Sequence, residues 1–221
     1  ATMEKTGLII RKENGKIFDR FVNRITFPFY SLSGLVIGFT GRSLEKDTQC
    51  KYLNSPETPL FHKGKTLFGI YQARQEISKS DKCYLVEGQF DVLSFVQSGY
   101  PNTVCGSGTA LTLDQVRIIK KFTRNVTAVY DGDAAGMKAS VRNMDIMLAE
   151  GMNVRAVLLP EGEDPDSFAR KMGTEKLAKF LKKQETDFIS FIYKAFESEM
   201  DDPIRKTEVL RIIAQSISVV P

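Results

Sequence analysis

Histidine is almost missing from this sequence and cysteine is scarce, which narrows the metal and redox chemistry open to it. The single His62 and the three cysteines, Cys50, Cys83 and Cys105, lie far apart and form no C-x-x-C pair. They cannot supply a closed zinc site, and an odd, scattered set argues against a disulfide framework. Buried, reduced thiols in a cytoplasmic protein are the expectation. No apolar run approaches the roughly 18 residues that a membrane span needs. Residues 1–10 lack the basic start and long apolar run of a signal peptide. Internal repeats and low-complexity stretches are also missing. The chain opens on Ala1 and stops at Pro221, just after an apolar periodic stretch, which fits a fragment of something longer.

What is present is an ordinary globular composition, with 42% hydrophobic and 26% charged residues in 221, enough for one good core or two small ones. The net charge of +4 is modest, but it is unevenly placed. Residues 1–75 carry 12 Lys and Arg against 6 Asp and Glu, whereas residues 87–172 carry 9 against 11. A basic N-terminal third beside an acidic middle suits a phosphate-holding surface next to a cation-holding site. Charge alone does not separate that from a solvated basic face.

The first third has the pattern of short strands and turns. One strand is expected from Arg24 to end near Pro28, and another over the glycine-punctuated stretch 34–41. A helix is expected over 67–78, with Ile70, Ala73 and Ile77 on one face. From residue 82 the pattern alternates. Short apolar runs at 83–86, 103–105, 126–130 and 154–159 are separated by helical stretches. Thr112 and Gln115 form a capping box at the start of one of these, and Gly99 and Gly151 stop two others. Strands alternating with helices predict a parallel sheet. Beyond Gly173 the chain is expected to be helical, apart from a break near Asp202-Pro203.

Acidic residues fall at strand ends. Glu87 follows the first apolar run, Asp131 and Asp133 the third, and Asp164 and Asp166 lie just beyond the fourth. In an open parallel sheet the carboxyl ends of the strands form the ligand-binding edge. Carboxylates converging there repel one another unless a cation neutralises them. An all-oxygen donor set suits Mg²⁺ or Mn²⁺. Taken singly, each acid fits a helix cap or a solvated loop residue better than a metal ligand; together, with Gly88 and Gly132 beside them, they favour a metal site.

Other motifs fail on inspection. Asp131-Gly-Asp-Ala-Ala-Gly136 begins like a calcium loop, but Ala135 and Arg142 occupy acidic positions of that pattern. Gly64-Lys65-Thr66 lacks the first P-loop glycine, since Pro59 stands there, and Leu111 breaks a dinucleotide fingerprint beginning at Gly106. The Gly106-Ser-Gly108 turn serves equally as a phosphate cradle or as a plain turn.

The segments Leu85-Val-Glu-Gly-Gln-Phe-Asp91 and Asp131-Gly-Asp-Ala-Ala-Gly136 resemble the glutamate and paired-aspartate motifs of the Toprim family. That fold is shared by primases, topoisomerases and some nucleases. Gly162-Glu-Asp-Pro-Asp166 resembles the third acidic segment of the bacterial primases. Upstream, Phe18-Asp-Arg-Phe, Arg24-Ile-Thr-Phe-Pro, Gly38-Phe-Thr-Gly-Arg42, Lys51-Tyr-Leu-Asn-Ser-Pro-Glu-Thr58 and Phe61-His-Lys-Gly64 are similar to the DnaG-type primases. The Lys51–Thr58 segment is the most specific of these.

The resemblance implies an α/β fold in three parts. These are a basic α+β N-terminal subdomain over 1–80, a Toprim-like parallel sheet flanked by helices over 81–172, and a helical C-terminal subdomain over 173–221. It implies DNA-directed synthesis of RNA primers on single-stranded DNA by two-metal nucleotidyl transfer, at the bacterial replication fork in the cytoplasm. Glu87 would be the general acid or base, with Asp91 close by. Glu87, Asp131, Asp133, Asp164 and Asp166 would hold Mg²⁺, with Mn²⁺ able to substitute. Arg20, Arg24, Arg42, Lys51, Asn54, Lys63 and Lys65 would line the groove for template, RNA primer and nucleoside triphosphate. Zinc and the replicative helicase would be met by N- and C-terminal domains of the family that are not visible here. Two departures stand out: Gln89 replaces the family's usual Tyr, and Cys105-Gly-Ser-Gly108 replaces its usual Ser-Leu-Gly turn. A metal-dependent nuclease or topoisomerase, and a non-enzymatic nucleic-acid-binding module, are the alternatives.

Overall fold

The computed structural model describes residues 2–45, 50–108, 110–131 and 137–221. A short helix α1 (Thr2–Lys5) leads into an antiparallel hairpin of β1 (Ile9–Arg11) and β2 (Ile17–Asp19). Strands β3 (Arg24–Tyr30), β4 (Val36–Ser43) and β5 (Tyr52–Asn54) then form an antiparallel sheet in that spatial order. The expected end of β3 near Pro28 is not observed, because the strand runs on to Tyr30 with Pro28 opposite Phe39. The position of β3 at the sheet edge explains this, since an edge strand tolerates a residue without an N–H donor.

Helix α2 (Ile70–Ser80) connects to a five-stranded sheet in the order β10-β9-β8-β6-β7. Its strands β6 (Cys83–Val86), β7 (Thr103–Cys105), β8 (Asn125–Tyr130) and β9 (Asn153–Leu158) are mutually parallel, as the apolar runs predicted. The edge strand β10 (Thr186–Asp187) is antiparallel to β9 and was not anticipated; two polar residues carry no strand pattern of their own. Helices α3 (Gln89–Gln97), α4 (Leu113–Lys120), α5 (Met137–Ala149), α6 (Pro165–Gln184), α7 (Phe188–Ala195) and α8 (Pro203–Ser218) complete the chain. Within α6 the path kinks at Gly173, whose φ of 67° lies in the left-handed region that glycine adopts without penalty.

The two-residue period of the strands divides the core into two layers. Cys83 and Leu85, with Val126, Ala128 and Tyr130, face α2, α4, α5 and α7, where Ile77, Ile119, Met144, Met147 and Ile192 are fully buried. Tyr84, Val86 and Val129 face the opposite way, toward Val92 and Phe95 of α3 and Phe168, Leu177 and Leu181 of α6.

This second layer also anchors the N-terminal sheet. Phe29 of β3 sits 4.9 Å from the Phe61 ring and 5.3 Å from Phe68, all within the same cluster. Phe68 also exchanges backbone hydrogen bonds with Cys105 at the end of β7. Gly38 leaves room for this packing, since a Cβ there would lie 2.7 Å from the Phe61 ring.

At the opposite end of the parallel strands, Glu185 ties β10 to the sheet. Its carboxylate accepts a 2.6 Å hydrogen bond from Lys82 Nζ and another from the Thr127 hydroxyl. Burial pushes its pKa up, but the bonds from Lys82 and Thr127, with the Lys82 and Arg155 charges, outweigh that and hold it below the usual carboxylate value.

Two measurements check these assignments. Phe61→Ala removes a wholly buried ring from the junction and should lower unfolding free energy by about 3–5 kcal/mol in chemical denaturation. A loss below about 1 kcal/mol would mean that the junction is not part of the core. The Glu185 contribution to stability should be present above the ordinary Glu pKa and be lost as pH falls through its lower folded value. Glu185→Gln should therefore flatten the acid limb of the stability–pH curve, and an unchanged limb would contradict the pairing.

Candidate active site: an acidic cleft at the carboxyl edge of the sheet

Each acidic residue reaches the cleft because a strand ends just before it. β6 stops at Val86 and delivers Glu87, exposed, followed by Gly88 at the N-cap of α3. β8 stops at Tyr130 and delivers Asp131. Beyond β9, Asp164 caps α6, its Oδ1 accepting from Ser167 N at 2.6 Å, with Pro165 in the first turn. Asp166 follows on that turn. Glu87, Asp91, Asp131, Asp164 and Asp166 line one cleft of about 480 Å³, with Tyr52 and Asn54 of β5 on its far wall. Asp133, also expected to hold metal, lies outside the described residues.

Asp91 is the hinge of this arrangement. Its carboxyl accepts from Gly88 N at 2.7 Å and from Asp166 N at 3.1 Å, which joins the loop after β6 to the start of α6. Asp166 in turn accepts from the Ser94 hydroxyl at 2.5 Å and from Arg170 Nη2 at 2.9 Å. Burial is the main reason that the Asp91 pKa is pushed up to about 7. The charges of Asp131 and Asp164 add to it, while the two backbone donors act in the opposite sense. Tyr52 feels the same field: burial raises its pKa, Arg42 opposes, and Asp166, Asp91 and Asp164 add to the rise.

Among the described residues, no three His, Cys, Asp or Glu side chains are gathered closely enough to hold a metal ion. The carboxylates share a cleft without forming a ready cage. Such a donor set, all oxygen and spaced around an open volume, fits a hard cation that keeps waters and takes further oxygens from a substrate.

The basic residues separate into distinct kinds. Arg20 donates through Nε and Nη2 to the Asn54 carbonyl at 3.2 and 3.0 Å. Arg24 donates to the carbonyls of Gly41, Cys50 and Lys51. These two guanidinium groups brace the β5 segment. Asn54 Nδ2 donates to the Ser107 carbonyl at 2.7 Å and so fastens β5 to the glycine turn after β7. Arg42 on β4 lies against aromatic rings, with its Cζ 4.2 Å from the Phe90 centroid and 5.7 Å from that of Tyr52. Lys51 is exposed at the start of β5. Lys63 and Lys65 flank a single 3₁₀ turn whose carbonyls accept from Ser107, Thr112 and Gln115, and Lys65 Nζ is 3.9 Å from Asp114.

Sequence reasoning missed Tyr52 and Phe90 as walls of the cleft, and Ser94 and Arg170 as supports of Asp166. Ser94 had a detectable signal, standing three residues after Asp91 on the same helix face. Tyr52 and Phe90 had none, because their meeting depends on how the two sheets pack.

Tyr52 and Asn54 of the antiparallel sheet thus share one cleft with the acids at the carboxyl edge of the parallel sheet. Comparison with known proteins gives the family. Residues 1–74 match the family model "DNA primase catalytic core, N-terminal domain", and residues 84–169 match a Toprim-like family. The DNA primase of Staphylococcus epidermidis is 39% identical over 198 residues, which is 89% of this chain and 33% of that protein. A DNA primase domain from Pseudomonas aeruginosa superposes with a TM-score of 0.87 at 34% identity, covering 99% of this chain and 70% of that one. A DnaG primase catalytic domain bound to single-stranded DNA gives 0.86 at 34% identity, covering 100% and 72%. The chain belongs to the DnaG-type DNA primase family. It spans about a third of the length of the curated relatives that it matches.

The raised Asp91 pKa has a direct consequence. A carboxyl whose folded pKa lies above its unfolded value favours folding below the unfolded pKa, and that contribution is lost as pH rises through the folded one. Carbon-detected NMR titration of the metal-free chain should find the Asp91 midpoint near pH 7, with stability declining across it. A midpoint near 4 would show that the cleft is open to water and its charges are uncoupled.

Proposed function

We propose that this chain is the nucleotidyl-transferring core of a bacterial primase, synthesising RNA primers on single-stranded DNA during replication. The observation that carries this reading is the shared cleft, in which Tyr52 and Asn54 of the N-terminal sheet face five carboxylates of the parallel sheet. Residues 1–80, 81–172 and 173–221 would act as the basic substrate-binding part, the acidic catalytic part and a helical support. The single-stranded DNA in the related primase structure favours the same substrate here.

In this reading Glu87, Asp131, Asp133, Asp164 and Asp166 hold Mg²⁺, with Mn²⁺ able to replace it. The bound metal supplies charge neutralisation and alignment for in-line attack on the α-phosphate. The remaining work belongs to the protein. Glu87, exposed in the cleft, takes the proton from the primer hydroxyl as its oxygen bonds to the α-phosphorus and the bond to the departing pyrophosphate breaks. Asp91 fixes the loop that carries Glu87 against the turn that carries Asp164 and Asp166. Arg42, Lys51, Lys63 and Lys65 steer and hold the polyanionic template, primer and triphosphate. Arg20, Arg24 and Asn54 act by setting the position of β5 beside the cleft. Family membership further suggests a zinc-binding domain and a helicase-binding domain in the full-length protein, working in the cytoplasm at the fork.

Template-directed incorporation of labelled ribonucleotides by the full-length protein tests the reading. Glu87→Gln should leave the fold and DNA affinity in place and lower synthesis by about 10²–10⁴-fold, the usual range for losing a general acid or base. Synthesis near the wild-type rate would remove Glu87 from the mechanism, and cut DNA in place of new RNA would overturn the assignment to a primase.

A further inference from the structure

We propose that Phe90 is a positioning residue whose ring holds the Arg42 guanidinium at the mouth of the acidic cleft, facing the phosphates of the incoming nucleoside triphosphate. The inference rests on the nucleotidyl-transfer reading above and extends it to a residue not otherwise engaged in the chemistry.

Phe90 stands on the first turn of α3, next to Asp91, so its ring is fixed relative to the carboxylates. It is braced by Phe27 of β3 at 5.2 Å, edge to face, and by Tyr52 at 5.7 Å. Arg42 comes from β4, in the other sheet, and lies 4.2 Å from the Phe90 centroid. The contact therefore bridges the basic and acidic halves at the rim that Tyr52 and Phe90 share with Asp164 and Asp166.

The state of Arg42 differs from that of its neighbours. Arg20 and Arg24 give their N–H groups to backbone carbonyls, whereas among the described residues the Arg42 guanidinium has no hydrogen-bond or ion-pair partner. A ring beneath the Arg42 Cζ restrains the guanidinium without engaging its N–H donors and leaves their edge available. That edge matches the paired oxygens of a phosphate. Template bases can pair at a distance from the carboxylates, but the reacting phosphates must lie among them. The ligand for a guanidinium held at this rim is accordingly the triphosphate.

The test combines nucleotide binding with steady-state kinetics of the full-length protein, using ATP and AMP with Mg²⁺. Phe90→Leu keeps apolar bulk and removes the ring. It should raise both the ATP Kd and the KM by about 2-fold to about 30-fold, the span of a cation–π contact from exposed to desolvated settings. kcat and AMP binding should hold, and Phe90→Tyr should restore ATP affinity. In an Arg42→Ala background, Phe90→Leu should add nothing, because the two act as one unit. Independent, multiplying effects would overturn the proposal, as would a loss confined to kcat or to thermal stability. Should the wild-type protein make no RNA, the nucleotidyl-transfer reading fails. The ATP-binding cycle between Phe90 and Arg42 would still decide this proposal by itself.

Discussion

Mutual repulsion among the carboxylates at one edge of the parallel sheet is the constraint on which the rest of the arrangement depends. A fold that only had to be stable would not collect Glu87, Asp91, Asp131, Asp164 and Asp166 around one volume. The repulsion is visible in Asp91, pushed up to about 7 by burial with the neighbouring charges adding to it. The structure counters it locally. Asp91 is pinned by two backbone N–H groups, Asp164 is turned to cap α6, and Asp166 is held by Ser94 and Arg170. These bonds limit the repulsion without neutralising it, and so leave the cleft suited to a hard cation accompanied by phosphate oxygens.

In the proposed function the same edge also receives a polyanion, which demands positive charge close by but not in contact with the acids. The Phe29–Phe61–Phe68 cluster meets that demand by fixing the N-terminal sheet on the α3 and α6 face of the core. Two arginines that composition alone counts as part of a basic patch, Arg20 and Arg24, are committed to holding β5 beside the cleft. Arg42 is held by rings instead. Charge balance thus conceals a difference between cations that brace the wall through backbone carbonyls and a cation held only by aromatic rings.

Much of this was legible in the sequence where a pattern is local. The apolar runs at 83–86 and 103–105 match β6 and β7, and the Thr112–Gln115 capping box closes with both of its bonds formed. The acids at strand ends were legible because parallel topology converts sequence position into spatial position. What was hidden depends on distant partners. Strand β10 is set by its register against β9, the passage of β3 through Pro28 depends on that strand being an edge, and Asn54 meets Ser107 across 53 residues of chain. The tie from Asp91 to Asp166 spans 75 residues and exists only once α3 and α6 are packed together.

The central claim is that this cleft is a divalent-cation site serving phosphoryl transfer, and its most direct test is anomalous diffraction from crystals of the protein soaked with Mn²⁺ and a nucleoside triphosphate. The account predicts Mn²⁺ among Glu87, Asp131 and the Asp164–Asp166 turn, bridging to phosphate oxygens, with Arg42 on the outer side of the triphosphate. Manganese bound only elsewhere, or a triphosphate seated away from these carboxylates, would contradict it.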